Sequence, residues 1–429
     1  MSPASVVSFE LARHIVEQHA AQVAPPAIES VDLLAARERV LAESVLADRD
    51  FPPFPRATRD GFAVRAGNVE RTPARLDLVG EIKAGGLWED GDLKTGQAVS
   101  IMTGAPLPPG ADAVVMVEYT SVNGNSVKIQ RSVQTGENFV PRGAEALAGQ
   151  VLLGSGRRLD HASIAIAASV GKDRVQVFRK PRVAVLSTGD ELVEISASPG
   201  AAQIRNSNSY SLSAQIQNAG GEPARLAIAP DEPRRLRALI EEGLQCDLLL
   251  LTGGVSMGKY DLVEQVLTQL SAEFYFTGAE IQPGRPVVFG SCSAGILARA
   301  GSENGADTRA RAPAQHNPTY FFGLPGNPVS TMVTFELFAR PMVEALAGLA
   351  PLPLIFLRAR LKSEIKTKTG LKRFLPAILS GEFENAEVEL ARWQGSGDIA
   401  TLARANCYVV IPPDRDRIEA GEWVPLLMR

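Results

Sequence analysis

The sequence predicts an α/β multidomain protein: a three-layer, doubly wound domain with a mostly parallel sheet, an inserted β-rich domain, a helical linking domain and a small C-terminal β domain. Three observations carry this reading. Strands and helices alternate from Arg182 to about Leu346, short alternating segments crowd together after Phe51, and strand patterns return beyond Pro351. A chain of 429 residues exceeds what one hydrophobic core organises, so roughly two to four domains are expected. The expected division is 1–50 with 143–179 for the discontinuous helical linking domain, 51–142 for the inserted β-rich domain, 180–350 for the α/β domain and 351–429 for the C-terminal domain.

Taken in order, residues up to about Asp50 read as helical, with Ser8 as a cap before Phe9, Ala12 and Val16 and a second apolar run through Val31, Leu33, Leu34, Val40 and Leu41. After the proline-rich joint Phe51-Pro52-Pro53-Phe54-Pro55, the segments Leu76–Val79 and Val114–Val117 read as strands. Asn123-Gly124 before Val127-Lys128-Ile129 signals a hairpin turn. From Arg142 to Gly171 the pattern returns to helix, closed by a glycine suited to a C-cap. Then come strand Val183–Leu186, helix Tyr210–Asn218, strand Ala224–Ile228, helix Pro233–Gly243, strand Asp247–Leu251 and a helix from Asp261, which has capping-box spacing to Glu264. Alternation of this kind implies a parallel sheet with helices on both faces. Residues Ala298 to Asn317 lack periodicity and read as an exposed, mobile loop. Leu357, Ala359 and Leu361 alternate with Arg358 and Arg360 as in a half-buried strand, and Cys407–Ile411 reads as another.

Composition excludes several classes. Hydrophobic residues at 45% and charged residues at 21% describe a soluble globular chain. No apolar run approaches the roughly 18 to 20 residues of a membrane span, and the N-terminus lacks the pattern of an export signal. A net charge of −4 offers no general attraction to nucleic acid or anionic lipid, which leaves a small molecule as the expected partner. Cys246, Cys292 and Cys407 are odd in number and far apart, so neither a disulfide framework nor a zinc site is indicated and a reducing cytoplasm fits. His14, His19, His161 and His316 have no metal-ligand spacing.

Three turns follow strands directly: Ser187-Thr188-Gly189-Asp190-Glu191, Thr252-Gly253-Gly254-Val255-Ser256-Met257-Gly258 and Pro325-Gly326-Asn327-Pro328. Any one of them is a plain connection by composition. Three together suggest a crevice for a phosphate-bearing ligand, because carboxyl-end loops of open α/β sheets line such crevices and glycine lets backbone N–H groups approach an anion. Gly253 to Lys259 matches most of a P-loop, but Tyr260 stands where Ser or Thr would hold magnesium, which argues against nucleotide hydrolysis of that type. Asp190, Glu191 and Asp261 lie beside the turns, where they could hold a magnesium ion; each also has an ordinary role, Asp261 as a helix cap above all. Pro328 suits the first turn of the helix that follows.

These motifs, with Leu192 after the first and Val329-Ser330 after the third, resemble the molybdopterin molybdotransferases and the gephyrin E domain. The resemblance extends upstream through Asp60-Gly61-Phe62-Ala63, Ile101-Met102-Thr103-Gly104-Ala105-Pro106 and Arg142-Gly143, and downstream to Gly395-Ser396-Gly397 and Ala405-Asn406-Cys407, so nearly the whole chain is covered. The parallel-sheet motifs are shared with molybdopterin adenylyltransferases, whereas the Asp60 and Thr103 motifs with the β tail are similar to the molybdotransferases specifically. The resemblance implies a C-terminal small β-barrel, an elongated four-domain homodimer with sites between subunits, and a transferase that takes adenylated molybdopterin and molybdate and releases AMP with the help of Mg2+. It implies molybdopterin adenylyltransferase and molybdoenzyme apoproteins as protein partners. By motif position it also implies Asp60, Thr103, Glu191, Asp231 and Asp261 as catalytic residues, with Glu145 where relatives often have Asp. Ser187, Thr188, Gly189, Asp190, Gly253, Gly254, Ser256, Gly258, Arg285, Pro325, Gly326, Asn327, Pro328 and Ser330 would bind the cofactor, and Asp190, Glu191 and Asp261 the metal.

The chain departs from the family pattern in two places. Arg59 puts a cation beside Asp60 where relatives usually carry Met, and Gln282-Pro283-Gly284-Arg285-Pro286 stands where they commonly read Lys-Pro-Gly-Lys-Pro, so one charge is lost and the other becomes a bidentate donor. Two alternatives therefore stay open: a molybdopterin adenylyltransferase, and a catalytically weakened cofactor-binding scaffold or carrier.

Overall fold

A computed structural model describes residues 6–254, 262–293 and 318–429. They form two compact units, the larger built from the chain up to Ser30, Glu38–Ala42 and the chain from Gln176 onward, the smaller from Val31–Arg37 and Glu43–Val175.

The larger unit is organised by a six-stranded sheet, whose strands in chain order are β1 (Arg182–Ser187), β2 (Glu222–Arg225), β3 (Leu248–Thr252), β4 (Glu273–Phe276), β5 (Val288–Cys292) and β6 (Thr319–Leu324). Its spatial order is β2-β1-β3-β6-β5-β4. The first four strands of that order run parallel; β5 pairs antiparallel to β6, and β4 antiparallel to β5. Near-continuous apolar runs such as Leu248–Leu251 are wholly buried, as a strand covered on both faces requires. One face packs against helices Phe9–Ala20, Asn208–Asn218 and Pro328–Thr334 through Val183, Val185, Leu248, Leu250 and Phe322. The other packs against helices Pro233–Gly243 and Leu262–Gln269 through Ala184, Leu186, Leu249 and Leu251. The alternation of side chains along each strand thus builds the three layers.

Five strands near the C-terminus, Phe356–Leu361, Lys372–Ser380, Glu387–Leu390, Cys407–Ile411 and Trp423–Met428, close on themselves into the barrel that the family resemblance implied. Arg373 and Lys372 also pair in parallel with Gln282 and Ile281, which carries the sheet domain's chain along the barrel's flank.

In the smaller unit a six-stranded sheet runs Ala113–Met116, Gly61–Val64, Gln97–Ile101, Ala74–Ile82, Ser126–Ile129 and Thr120–Asn123. Phe62 and Val64 face one core and Ala63 the other, so both faces are covered. The expected hairpin is present, with Gly124 at φ +57°. Its first arm is Thr120–Asn123, because Ala113–Met116 pairs instead with Gly61–Val64.

Of the segments expected to be helical, Phe9–Ala20 and His161–Ser169 are helices, each begun by a side-chain cap, Ser8 Oγ to Leu11 N and Asp160 Oδ1 to Ser163 N. The stretch from Ile28 to Asp50 is corrected: it carries strand Ile28–Asp32, a single 3-10 turn at Leu34–Ala36 and strand Val45–Leu46. The apolar run there serves isolated strand pairings, such as Leu41 opposite Val177, in place of a helical stripe. Likewise, residues between Arg142 and Asp160 are mostly turns with strand Val151–Leu153. The loop expected at Ala298–Asn317 and the capping residue Asp261 lie outside the described residues.

Candidate functional site

Strand register brings the three turns together. Ser187 at the end of β1 pairs with Thr252 at the end of β3, and Thr252 pairs with Leu324 at the end of β6. The three turns therefore start at one level, on three adjacent parallel strands. The chain leaves β1 for β2 on one side and returns to β3 on the other, so the crevice opens at the point where strand order reverses, where open α/β sheets take ligands.

Glycine is required for this convergence. Gly253 has φ +88°, and a Cβ there would come within 2.4 Å of the Thr188 carbonyl oxygen. Gly326 packs beside it, where a Cβ would make ordinary van der Waals contact with the Gly253 Cα at 3.4 Å, so the strict requirement falls on Gly253. Backbone bonds tie the turns further: Thr188 N–H donates to Thr252 O at 3.0 Å and Gly189 N–H to Ala229 O at 3.2 Å.

Side chains surround the crevice in two groups. The acidic group is exposed: Asp190 Oδ1 accepts from Asp231 N–H at 3.1 Å, and Thr188 Oγ1 donates to Asp231 Oδ1 at 3.2 Å. The Glu191 carboxylate folds back over Gly189, where a Cβ would lie 2.4 Å from Glu191 Oε2. The neutral group is buried or half-buried. Ser187 Oγ donates to Asn206 Oδ1 at 3.0 Å, and Asn206 Oδ1 also accepts from Ser209 N–H at 3.2 Å, capping the next helix. Asn208 Nδ2 donates to Thr252 Oγ1 at 3.0 Å and to Gly326 O at 2.7 Å, and Thr252 Oγ1 donates to Pro325 O at 3.2 Å.

Pro325 is buried, while Gly326 and Asn327 are exposed at the crevice. Pro328 begins its helix as expected, and Val329 N–H is taken by Ser396 O at 2.9 Å, so that donor is engaged by the chain itself. Ser330 is buried, with its carbonyl accepting from Thr334 Oγ1 at 2.8 Å. Gly284, at φ +104°, packs against this helix with its Cβ position 2.3 Å from Thr334 Cγ2, and Arg285 beside it is exposed. Ser256, Gly258 and Asp261 lie outside the described residues.

Asp60 and Thr103 belong to the smaller unit and are brought together there. Gly61 pairs with Ile101, which sets the residue before one strand beside the residues after the other. Asp60 Oδ1 accepts from Thr103 N–H at 2.6 Å. That backbone donor first, then the Thr103 hydroxyl, hold the Asp60 carboxyl below the usual range. A Cβ on Gly61 would fall 1.9 Å from Val115 O, so only glycine permits this strand to approach its neighbour. Arg59 turns its guanidinium to Thr58 O at 3.2 Å, on the side of its other chain neighbour. Glu145 accepts from Arg56 at 3.0 Å.

Sequence reading missed Asn206 and Asn208. The signal was present in Asn206-Ser207-Asn208, a polar run at the start of the helix, where Asn is a favoured capping type.

A doubly wound domain with glycine turns at its switch point, preceded by a β unit and followed by a closed barrel, defines a multidomain α/β protein with a crevice at the carboxyl ends of its parallel strands. Residues 7–171 match the MoeA N-terminal region (domain I and II), 184–345 a probable molybdopterin binding domain, and 358–428 the MoeA C-terminal region (domain IV). The chain is 34% identical to the molybdopterin molybdenumtransferase of Nostoc sp. over 408 residues, covering 93% of this chain and 88% of the relative. It is 33% identical to that of Bacillus subtilis over 409 residues, covering 93% and 89%. The crystal structure of the molybdopterin biosynthesis moeA protein from Pyrococcus horikoshii OT3 superposes with a TM-score of 0.77 at 26% identity, covering 99% of this chain and 100% of that one. The chain belongs to the molybdopterin molybdenumtransferase family. It is a transferase of molybdenum cofactor biosynthesis.

Proposed function

We propose that the chain inserts molybdate into adenylated molybdopterin and releases AMP in a magnesium-dependent step, acting as a cytoplasmic homodimer. The observation that carries this reading is the shared register of Ser187, Thr252 and Leu324, which gathers three glycine-bearing turns at the switch point of the sheet. The donor set beside them suits a hard cation. Asp190, Glu191 and Asp231 are exposed carboxylates. Among the described residues no group of three or more such ligands stands preassembled, and Mg2+ is commonly held by one or two carboxylates with substrate phosphate oxygens completing the shell. Asp190, Glu191 and Asp261 would hold it, and when bound it would offset charge on the pyrophosphate as the phosphoanhydride bond breaks.

Thr188 orients Asp231, and Asp231 in turn holds Asp190, so the acidic edge is preset by the fold. Gly189, Gly253, Gly254 and the Pro325-Gly326-Asn327 turn let the backbone approach the anion, with Ser187, Ser256, Gly258, Arg285, Pro328 and Ser330 completing the pocket by motif position. By motif position Asp60, whose carboxylate accepts from Thr103, would be a catalytic residue with Thr103; a water or a molybdate oxygen attacks the molybdopterin-side phosphorus of the anhydride, and AMP leaves with the bridging oxygen. Molybdopterin adenylyltransferase and molybdoenzyme apoproteins are the partners that would deliver the substrate and take the product.

The full-length protein, given adenylated molybdopterin, molybdate and MgCl2, is expected to release one AMP per cofactor formed. Chelation should stop the release and added Mg2+ restore it. Consumption of ATP with unadenylated molybdopterin would replace the reading by that of an adenylyltransferase, and tight binding without AMP release by that of a carrier.

A further inference from the structure

We propose that Asn208 is a positioning residue of the crevice: it fixes the peptides of the Pro325-Gly326-Asn327 turn so that two backbone N–H groups face a tetrahedral oxyanion. Chemistry settles the orientation of its amide. Gly326 O can only accept, and Thr252 Oγ1 already spends its hydrogen on Pro325 O, so both partners of Asn208 need a donor and the NH2 group must face them. One side chain on the helix after β1 thereby grips the ends of β3 and β6 together.

The grip decides where the turn's dipoles point. Pro325 O is held by Thr252 Oγ1 and Thr331 Oγ1, and Gly326 O by Asn208 Nδ2. In a trans peptide the C=O and the N–H of the next residue point in opposite directions. Holding these two carbonyls inward therefore turns the N–H groups of Gly326 and Asn327 outward, on two exposed residues. A turn free to rotate would offer carbonyl oxygens to the anion and repel it. Successive outward N–H groups instead offer two donors to an oxyanion. The oxyanion is either molybdate or a phosphoryl group of the nucleotide-bearing substrate, and this inference rests on the function proposed above.

Asn208→Asp keeps the shape but sets a carboxylate oxygen against the Gly326 carbonyl and draws the Thr252 hydroxyl hydrogen away from Pro325 O, and Thr252→Val removes the relay, whereas Thr252→Ser keeps its hydroxyl. In equilibrium dialysis of the full-length protein with labelled molybdate alone, Asn208→Asp and Thr252→Val are expected to weaken binding about tenfold or more, with Thr252→Ser matching the wild type. If these donors instead take the phosphoryl group, molybdate affinity stays unchanged and the KM for adenylated molybdopterin rises by a similar factor with kcat little altered. Unchanged affinity and unchanged KM in both variants, or a fall in kcat alone, would overturn the inference. Should Asn208→Asp melt early, the contrast of Thr252→Val with Thr252→Ser decides it, and equal behaviour of the two overturns it. Because the dialysis needs no turnover, failure of the wild type to release AMP would count against the proposed reaction and leave this measurement standing.

Discussion

Replacing Gly253 with alanine tests whether the convergence of the turns is what the crevice depends on. The residue sits at φ +88°, and the added Cβ would meet the Thr188 carbonyl oxygen at 2.4 Å. An L side chain in the left-handed region costs roughly 1–2 kcal/mol, and relieving an overlap with backbone, which cannot rotate away, costs typically about 1–3 kcal/mol more. The same movement strains the bond from Thr188 N–H to Thr252 O, 3.0 Å long. A loss of about 2–5 kcal/mol should lower the calorimetric transition of a domain this size by roughly 4–20 °C. AMP release should fall with it even at temperatures where the protein stays folded, because the β1 and β3 turns no longer share a level. An unchanged transition together with wild-type AMP release would refute the argument.

Other outcomes follow from single residues. Thr103→Ala removes one of the two donors to Asp60, so the carboxyl should titrate at higher pH than in the wild type yet stay below the ordinary range, since the backbone donor remains; carboxyl-carbon NMR reads this, and an unmoved titration would contradict it. Arg13 is buried and donates to Leu337 O at 2.6 Å and Leu352 O at 3.1 Å, which pins the N-terminal helix. Arg13→Ala leaves acceptors without a donor and should cost about 1–3 kcal/mol in denaturant unfolding, an expectation that a stability equal to wild type would defeat. Burial pushes the Cys292 and Cys407 thiols up to about 11, so at pH 8 an aromatic disulfide reagent should modify at most Cys246 in the folded protein and all three cysteines after denaturation. Rapid native labelling of Cys407 would contradict the placement of its strand in the barrel wall.

The sheet domain was legible because its signals are local and repeated. Runs such as Leu248–Leu251 between turn residues specify covered strands, and helix Pro233–Gly243 begins and ends where its proline and glycine place it. The segment from Val31 to Asp50 was misread because apolar spacing alone does not say whether a short run meets a helix stripe or a lone strand partner. That partner here is Val177, far along the chain. In the candidate site, glycines and carboxylates stood out by motif. Asn206 and Asn208 did not, since a polar residue at a helix start reads as a cap until its second partner is known.

The sequence by itself determined the alternation of strands and helices, the three glycine-bearing turns and the placement of acidic residues beside them, because each follows from periodicity or backbone freedom within a few residues. Tertiary structure alone decided that Ser187, Thr252 and Leu324 stand in one row, that Asn208 bridges two of the turns, and that Thr103 donates to Asp60. Strand register and hydrogen-bond partners depend on which distant segments pair, and long-range pairing is settled by packing of the whole core.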